Sequence, residues 1–184
     1  EGLALYPESI SLQFSRLVYL NQSGDHEALR EAISMFDLTF LETPSEHNFG
    51  AMHFLWEHGR REDIQDILVR WFVSDPDKHA RIVSQFCLNT LTGNTRPPLQ
   101  IRQASCNCLC GVAFEVNGEV TTRIISSLPE TLHSVLLSAR TPLATKLLEM
   151  QPGETSSLGM RKVRLLERIP VYVAVFRLSA QLRN

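Results

Sequence analysis

Three times in this chain a residue able to cap a helix is followed at once by proline: Thr43-Pro44, Asp75-Pro76 and Thr141-Pro142. Proline has a fixed φ and no N–H, so within a helix it is tolerated in the first turn and disruptive beyond it. The residue before it offers a side-chain oxygen to a free N–H of that turn. Each pair therefore predicts a helix start. Asp25, ahead of "HEALREAISMF", gives a fourth, and Thr43-Pro44-Ser45-Glu46 reads as a capping box in which Glu46 reaches back to the Thr43 amide.

Apolar spacing between these starts is helical. Leu29, Ala32, Ile33, Phe36 and Phe40 form one stripe, Ile64, Ile67, Leu68, Trp71 and Phe72 a second, and Ile82, Val83, Phe86 and Cys87 a third. Turn chemistry separates them, in "NQSGD", "HGRR", "VSDP", "TGNTRPP", "VNGE", "SLPE", "ARTP" and "QPGETSS". No sustained polar/apolar alternation bounded by hairpin turns stands out, so an extensive sheet is not expected. One segment reads either way: "VYVAVF", residues 171–176 after Pro170, suits a strand or a closing helix buried on most sides. The expectation is an all-α domain over residues 1–184, built of antiparallel helical pairs.

"PPLQIRQASCNCLCGVAF" (97–114) resembles the second helix of a HEAT or armadillo-type repeat, in which a proline-containing turn leads into a helix carrying Arg, then Ala and other small residues. The resemblance implies a solenoid segment or an irregular helical bundle, whose usual work is to bind other proteins along an exposed surface. Gly111 would let a neighbouring helix approach closely.

No stretch approaches the roughly 18–20 apolar residues that a membrane helix needs, so membrane insertion is not expected. The chain opens "EGLALYPES", without an initiator Met, a basic start or an apolar signal core, which reads as a processed chain or a piece of a longer protein. Four cysteines do not make a disulfide framework at this length, which points to a reducing, intracellular compartment, cytoplasmic or nuclear. Charge is unevenly spread. Residues 1–77 hold 14 Asp and Glu against 5 Arg, whereas residues 78–184 hold 13 Lys and Arg against 6 Asp and Glu. Such opposed halves offer separate patches to partners or to another copy.

Metal and cofactor chemistry find little support. On a helix Cys106 and Cys110 would share a face and Cys108 would point about 160° away, so the three would not ligate one ion without help from Cys87 or His79. Buried packing is the simpler role. His47, His53 and His58 lack the i, i+4 pairing of a helical metal site. There is no G-x-S-x-G elbow, P-loop or dinucleotide fingerprint, and neither a metal nor a cofactor is assigned.

Two features suit recognition. Trp56, beside Glu57-His58, reads as a partly exposed anchor, of the residue type most enriched in interface hot spots. Arg161, Arg164 and Arg168 are spaced three and four apart and, on a helix, line one edge able to meet carboxylates or phosphates. The function expected is a non-catalytic protein-interaction or scaffold module that holds a partner segment. The alternatives are nucleic-acid binding through the Arg161–Arg168 edge, which a pI near 6.3 disfavours, and a helical enzyme or effector without a local motif.

Overall fold

The computed structural model describes residues 9–91, 108–127 and 133–183. The chain divides into two compact units, Glu1–Ile64 and Gln65–Asn184. The second contains a five-stranded mixed sheet beside its helices. An all-α stack of HEAT- or armadillo-like pairs is therefore not what the chain forms.

The first unit is helical among its described residues. Helix α1 (Ile10–Ser23) is capped by the Ser9 side chain and stops at Gly24, whose φ of 75° reverses the chain. Helix α2 (His26–Ser34) starts as expected, with Asp25 Oδ1 accepting from the Ala28 N–H at 3.0 Å. Two 3-10 turns, Leu38–Leu41 and Glu46–Asn48, lead into α3 (Phe49–Glu57). The side chain capping this start is Ser45 and not Thr43, which instead lends its carbonyl to Asn48 Nδ2 at 3.1 Å. The helix thus begins later than the capping box predicts. Helices α1 and α3 meet where Gly50 leaves room for a ring: a Cβ there would stand 3.2 Å from Phe14 Cε1. Arg60 then donates to the carbonyls of Ile33, at 2.8 Å, and Phe36, at 3.5 Å, and so places a cation on the C-terminal end of α2. The unit boundary falls inside the next helix, α4 (Arg61–Ser74).

In the second unit, Asp75 Oδ1 accepts from the Lys78 N–H at 3.1 Å and opens α5 (Pro76–Leu91). The strands are β1 (Cys108–Val116), β2 (Glu119–Ser126), β3 (Leu136–Ser138), β4 (Thr155–Leu158) and β5 (Arg161–Ile169), in the spatial order β3-β2-β1-β5-β4. All pairs are antiparallel except β2 with β3. The β1–β2 turn uses Asn117 and Gly118, with φ of 53° and 90°. Positive φ at both positions is what a two-residue hairpin turn matching strand twist requires.

Helices cover both faces. Helix α6 (Pro142–Glu149), capped by Thr141 as expected, connects the two edge strands across one face. Ala144 and Leu147 pack there with Val112, Phe114, Ile125 and Leu165 in one buried cluster. Fully burying a leucine of this kind contributes about 2 kcal/mol. The segment "VYVAVF" belongs to helix α7 (Val171–Leu182), which settles its two readings. Helix α7 lies on the opposite face at Gly111 and packs against α5 on its other side. Gly111 does allow a close helix approach, but from a strand.

Of the repeat-like helix 97–114, residues 97–107 lie outside the described residues, and Cys108–Phe114 is strand. Because β1 is covered on both sides, Gly111 to Phe114 is buried without a break, so the period-two signature is lost. Two register shifts, at Cys108/Cys110 on β1 and between the partners of Ala113 and Phe114 on β5, scramble what alternation remains.

Candidate binding surface at the sheet end

The four residues expected to bind a partner fall in different units, Trp56 in the first and the three arginines in the second. Trp56, in the first unit, is only 9% exposed, and its carbonyl accepts from Arg61 Nε at 3.2 Å. It is a core residue and not a partly exposed anchor.

The three arginines lie on β5, not on a helix edge. Side chains of a strand alternate between faces, and the shift on β5 resets that alternation partway along. Arg164 stands opposite Glu115, on the face away from α6. Arg168 stands opposite Val112, on the α6 face. There its guanidinium donates to the carbonyls of Met150, at 2.9 Å, Leu147, at 3.4 Å, and Leu148. These are groups that a helix end leaves without partners, so Arg168 caps α6 and is occupied in doing so. A continuous three-arginine stripe for phosphates does not exist.

What remains is the end of the sheet formed by its two hairpin turns. The Asn117 N–H donates to the Lys162 carbonyl at 3.4 Å and ties the β1–β2 turn to the start of β5. Met160, in the β4–β5 turn, is fully exposed, and Val120 on β2 is 66% exposed. Arg161, Lys162 and Arg164 are exposed beside them. None of these three side-chain cations hydrogen-bonds or ion-pairs with another described residue. Their acidic neighbours Glu115 and Glu119 sit on β1 and β2, so positive charge concentrates toward β5 and the edge strand β4.

Two further carboxylates, Glu167 and Glu154, are engaged elsewhere. Glu167 accepts from Arg177 of α7 at 2.8 and 3.4 Å, and that hydrogen-bonded pairing lowers its carboxyl below the usual range. Glu154 Oε2 accepts from the Gln151 N–H at 2.9 Å. The hairpin turns, and not residue spacing, gather Val120, Met160 and Lys162 with Arg161 and Arg164 at this end of the sheet. The signal was there in Asn117-Gly118 flanked by "GVAFEV" and "EVTTRII", which is a hairpin pattern.

Other chemistry-bearing groups are tied into structure. The Cys87 thiol lies 3.4 Å from the Tyr172 hydroxyl between α5 and α7; burial pushes it up to about 11, which suppresses the thiolate a nucleophile needs. Burial also raises the half-buried Cys110 thiol, against the opposing charge of Arg168. His133 Nε2 donates to Asp77 Oδ1 at 3.1 Å while Nδ1 accepts from the Val135 N–H at 3.3 Å. Both of its ring nitrogens are thus taken up in local contacts. Cys106 lies outside the described residues, and among the described residues no three His, Cys, Asp or Glu are placed to hold a metal ion. No described helix is long and apolar enough to cross a membrane. No family model, curated protein or solved structure matches this chain.

Proposed function

We propose that this chain is a protein-interaction module that offers the hairpin end of its sheet to an acidic segment of a partner protein. The observation that carries this reading is a fully exposed Met160 set beside Arg161, Lys162 and Arg164, none of which hydrogen-bonds or ion-pairs with another described side chain, although Glu115 stands opposite Arg164. An apolar anchor rimmed by charges is the usual anatomy of a recognition patch, with the apolar part supplying affinity and the charges supplying orientation and encounter rate. Methionine suits the anchor role because its flexible thioether adapts to a partner's shape. Arginine supplies a planar fork that fits a carboxylate.

The test is binding of a fluorescent Glu-rich peptide to the full chain, followed by anisotropy. The triple variant R161E/K162E/R164E is expected to weaken binding by at least about tenfold, a loss of roughly 1.4 kcal/mol, with an unchanged circular dichroism spectrum. Equal binding by the folded variant would contradict the reading. A mixed-sequence oligonucleotide that binds more tightly than the peptide, with a steep salt dependence, would replace the protein partner with a nucleic acid.

A further inference from the structure

We infer that the acidic partner binds as an added β-strand on the open edge of β4, with its carboxylates at alternate positions. This inference rests on the reading above and specifies the geometry of that site.

Strand β4 ends the sheet order, so among the described residues only one of its sides is paired. The Gly153 N–H donates to the Leu165 carbonyl at 2.7 Å, and the Leu165 N–H donates to the Glu154 carbonyl at 3.0 Å. With Gly153 at a φ of 90°, this is a glycine bulge that delivers the chain into β4 with Glu154 facing β5. Ser156 and Leu158 then face β5 in the same way, opposite Val163 and Arg161. The backbone N–H and C=O groups of Thr155 and Ser157 consequently point away from the sheet.

Proteins usually protect such an edge with a very short strand, a charge, a proline or a bulge, and β4, four residues long behind its glycine bulge, relies on its shortness and that bulge. Thr155, Ser156, Ser157 and Leu158 include no charge and no proline, and their register with β5 runs without a shift. The charges lie one strand further in. Thr155 stands opposite Arg164, and Ser157 opposite Lys162, all on the face away from α6. Both β4 residues are small. An added strand would lie about 4.8 Å beyond β4, hence about 9.6 Å from β5, a span that an arginine and a glutamate bridge together by lying across a threonine. Lys162 and Arg164 are two residues apart, the spacing at which strand side chains return to the same face. The partner therefore carries Asp or Glu at positions i and i+2 of an extended segment, in the manner of β-augmentation, where backbone bonds give affinity and alternate side chains give specificity.

The experiment uses the full chain and two synthetic peptides of one composition, the first alternating Glu with Thr and the second carrying its Glu residues in one block. The alternating peptide is expected to bind about tenfold more tightly, and amide hydrogen exchange at Thr155 and Ser157 is expected to slow when it is bound. Ser157→Pro, which removes an outward N–H and leaves the β5 ladder intact, is expected to abolish the preference between the peptides. The exchange measurement on the unaltered protein stands independently of whether that variant folds. Equal binding of both peptides, with no slowing at Thr155 or Ser157 and with loss in K162E/R164E, overturns strand addition while keeping an acidic partner. Binding that also survives K162E/R164E overturns both.

Discussion

A Cβ placed on Gly111 would stand 2.4 Å from the Cβ of Ala174, so β1 and α7 touch through a glycine that has no substitute at their present separation. Ile169 closes the same space, with its carbonyl oxygen at 3.2 Å and its Cβ at 3.3 Å from that position. The contacting atoms are a stiff Cβ and backbone, not the end of a flexible side chain. Gly111→Ala is therefore expected to lower the free energy of unfolding by about 2 kcal/mol, measured by urea denaturation. Adding Ala174→Gly should return part of that loss, limited by the roughly 1 kcal/mol that glycine costs inside a helix. A fully stable Gly111→Ala would mean that α7 does not rest on β1 as described.

Arg168 and its two neighbours on β5 should separate cleanly in stability. Arg168→Ala strips the donors from the C-terminal carbonyls of α6 and is expected to cost about 2 kcal/mol. Arg168→Lys should recover only part of it, since a single ammonium does not reproduce the fork. Arg161→Ala and Arg164→Ala, exposed like Arg168 but without its hydrogen bonds to helix carbonyls, should change stability by less than about 0.5 kcal/mol. Chemical denaturation of the four variants checks the pattern, and equal costs at the three arginines would contradict the placement of Arg168.

Stability should fall in alkali because of Cys87 and Tyr172. Burial raises the Cys87 thiol from its ordinary 9.0 to about 11, and burial followed by the charge of Cys87 raises the Tyr172 phenol as well. Between 9 and 11 the folded chain therefore holds a proton that the unfolded chain has released, so the contribution is complete below pH 9 and lost as pH climbs toward 11. The size for Cys87 is roughly 3 kcal/mol over that window. Cys87→Ala should flatten the decline in part and the further change Tyr172→Phe should flatten it more. An unaltered slope in the double variant would assign the effect elsewhere.

The helices were legible because their signals are local. Asp25, Asp75 and Thr141 cap where the sequence says, and Leu29, Ile33 and Phe36, like Ile64, Ile67 and Leu68, are buried as their spacing requires. The sheet was legible only at its Asn117-Gly118 hairpin, and the rest of its evidence is non-local. Val112, Ala113 and Phe114 show an apolar run only because α6 and α7 cover opposite faces, and nothing near them in sequence announces either helix. Arg161, Arg164 and Arg168 fit a helical edge and a bulged strand equally well, and pairing with β1 and β4 decides for the strand. Arginines also work inside the chain: Arg60 and Arg168 spend their forks on helix-terminal carbonyls.

The separation of charge survives the structure with a shifted boundary. Residues 1–64 hold 11 Asp and Glu against 4 Arg, while residues 65–184 hold 14 Lys and Arg against 9 Asp and Glu. The second unit is thus the cationic one, and it carries the open β4 edge. Binding of an acidic peptide should accordingly weaken with added salt, by a modest factor for the few charges involved and not by the thousandfold or more of a nucleic-acid footprint. Titration at two ionic strengths measures it, and a salt-independent affinity would remove the cations from the interface.

The decisive experiment is a charge exchange at the sheet end, followed by calorimetric titration. The unaltered chain and K162E/R164E are each titrated with the alternating Glu peptide and with its Lys counterpart. An inversion of preference is expected, with the Glu peptide favoured by the unaltered chain and the Lys peptide by the variant, each by about tenfold or more. An identical preference for the Glu peptide in both proteins would rule out Lys162 and Arg164 as the groups that recognise an acidic partner.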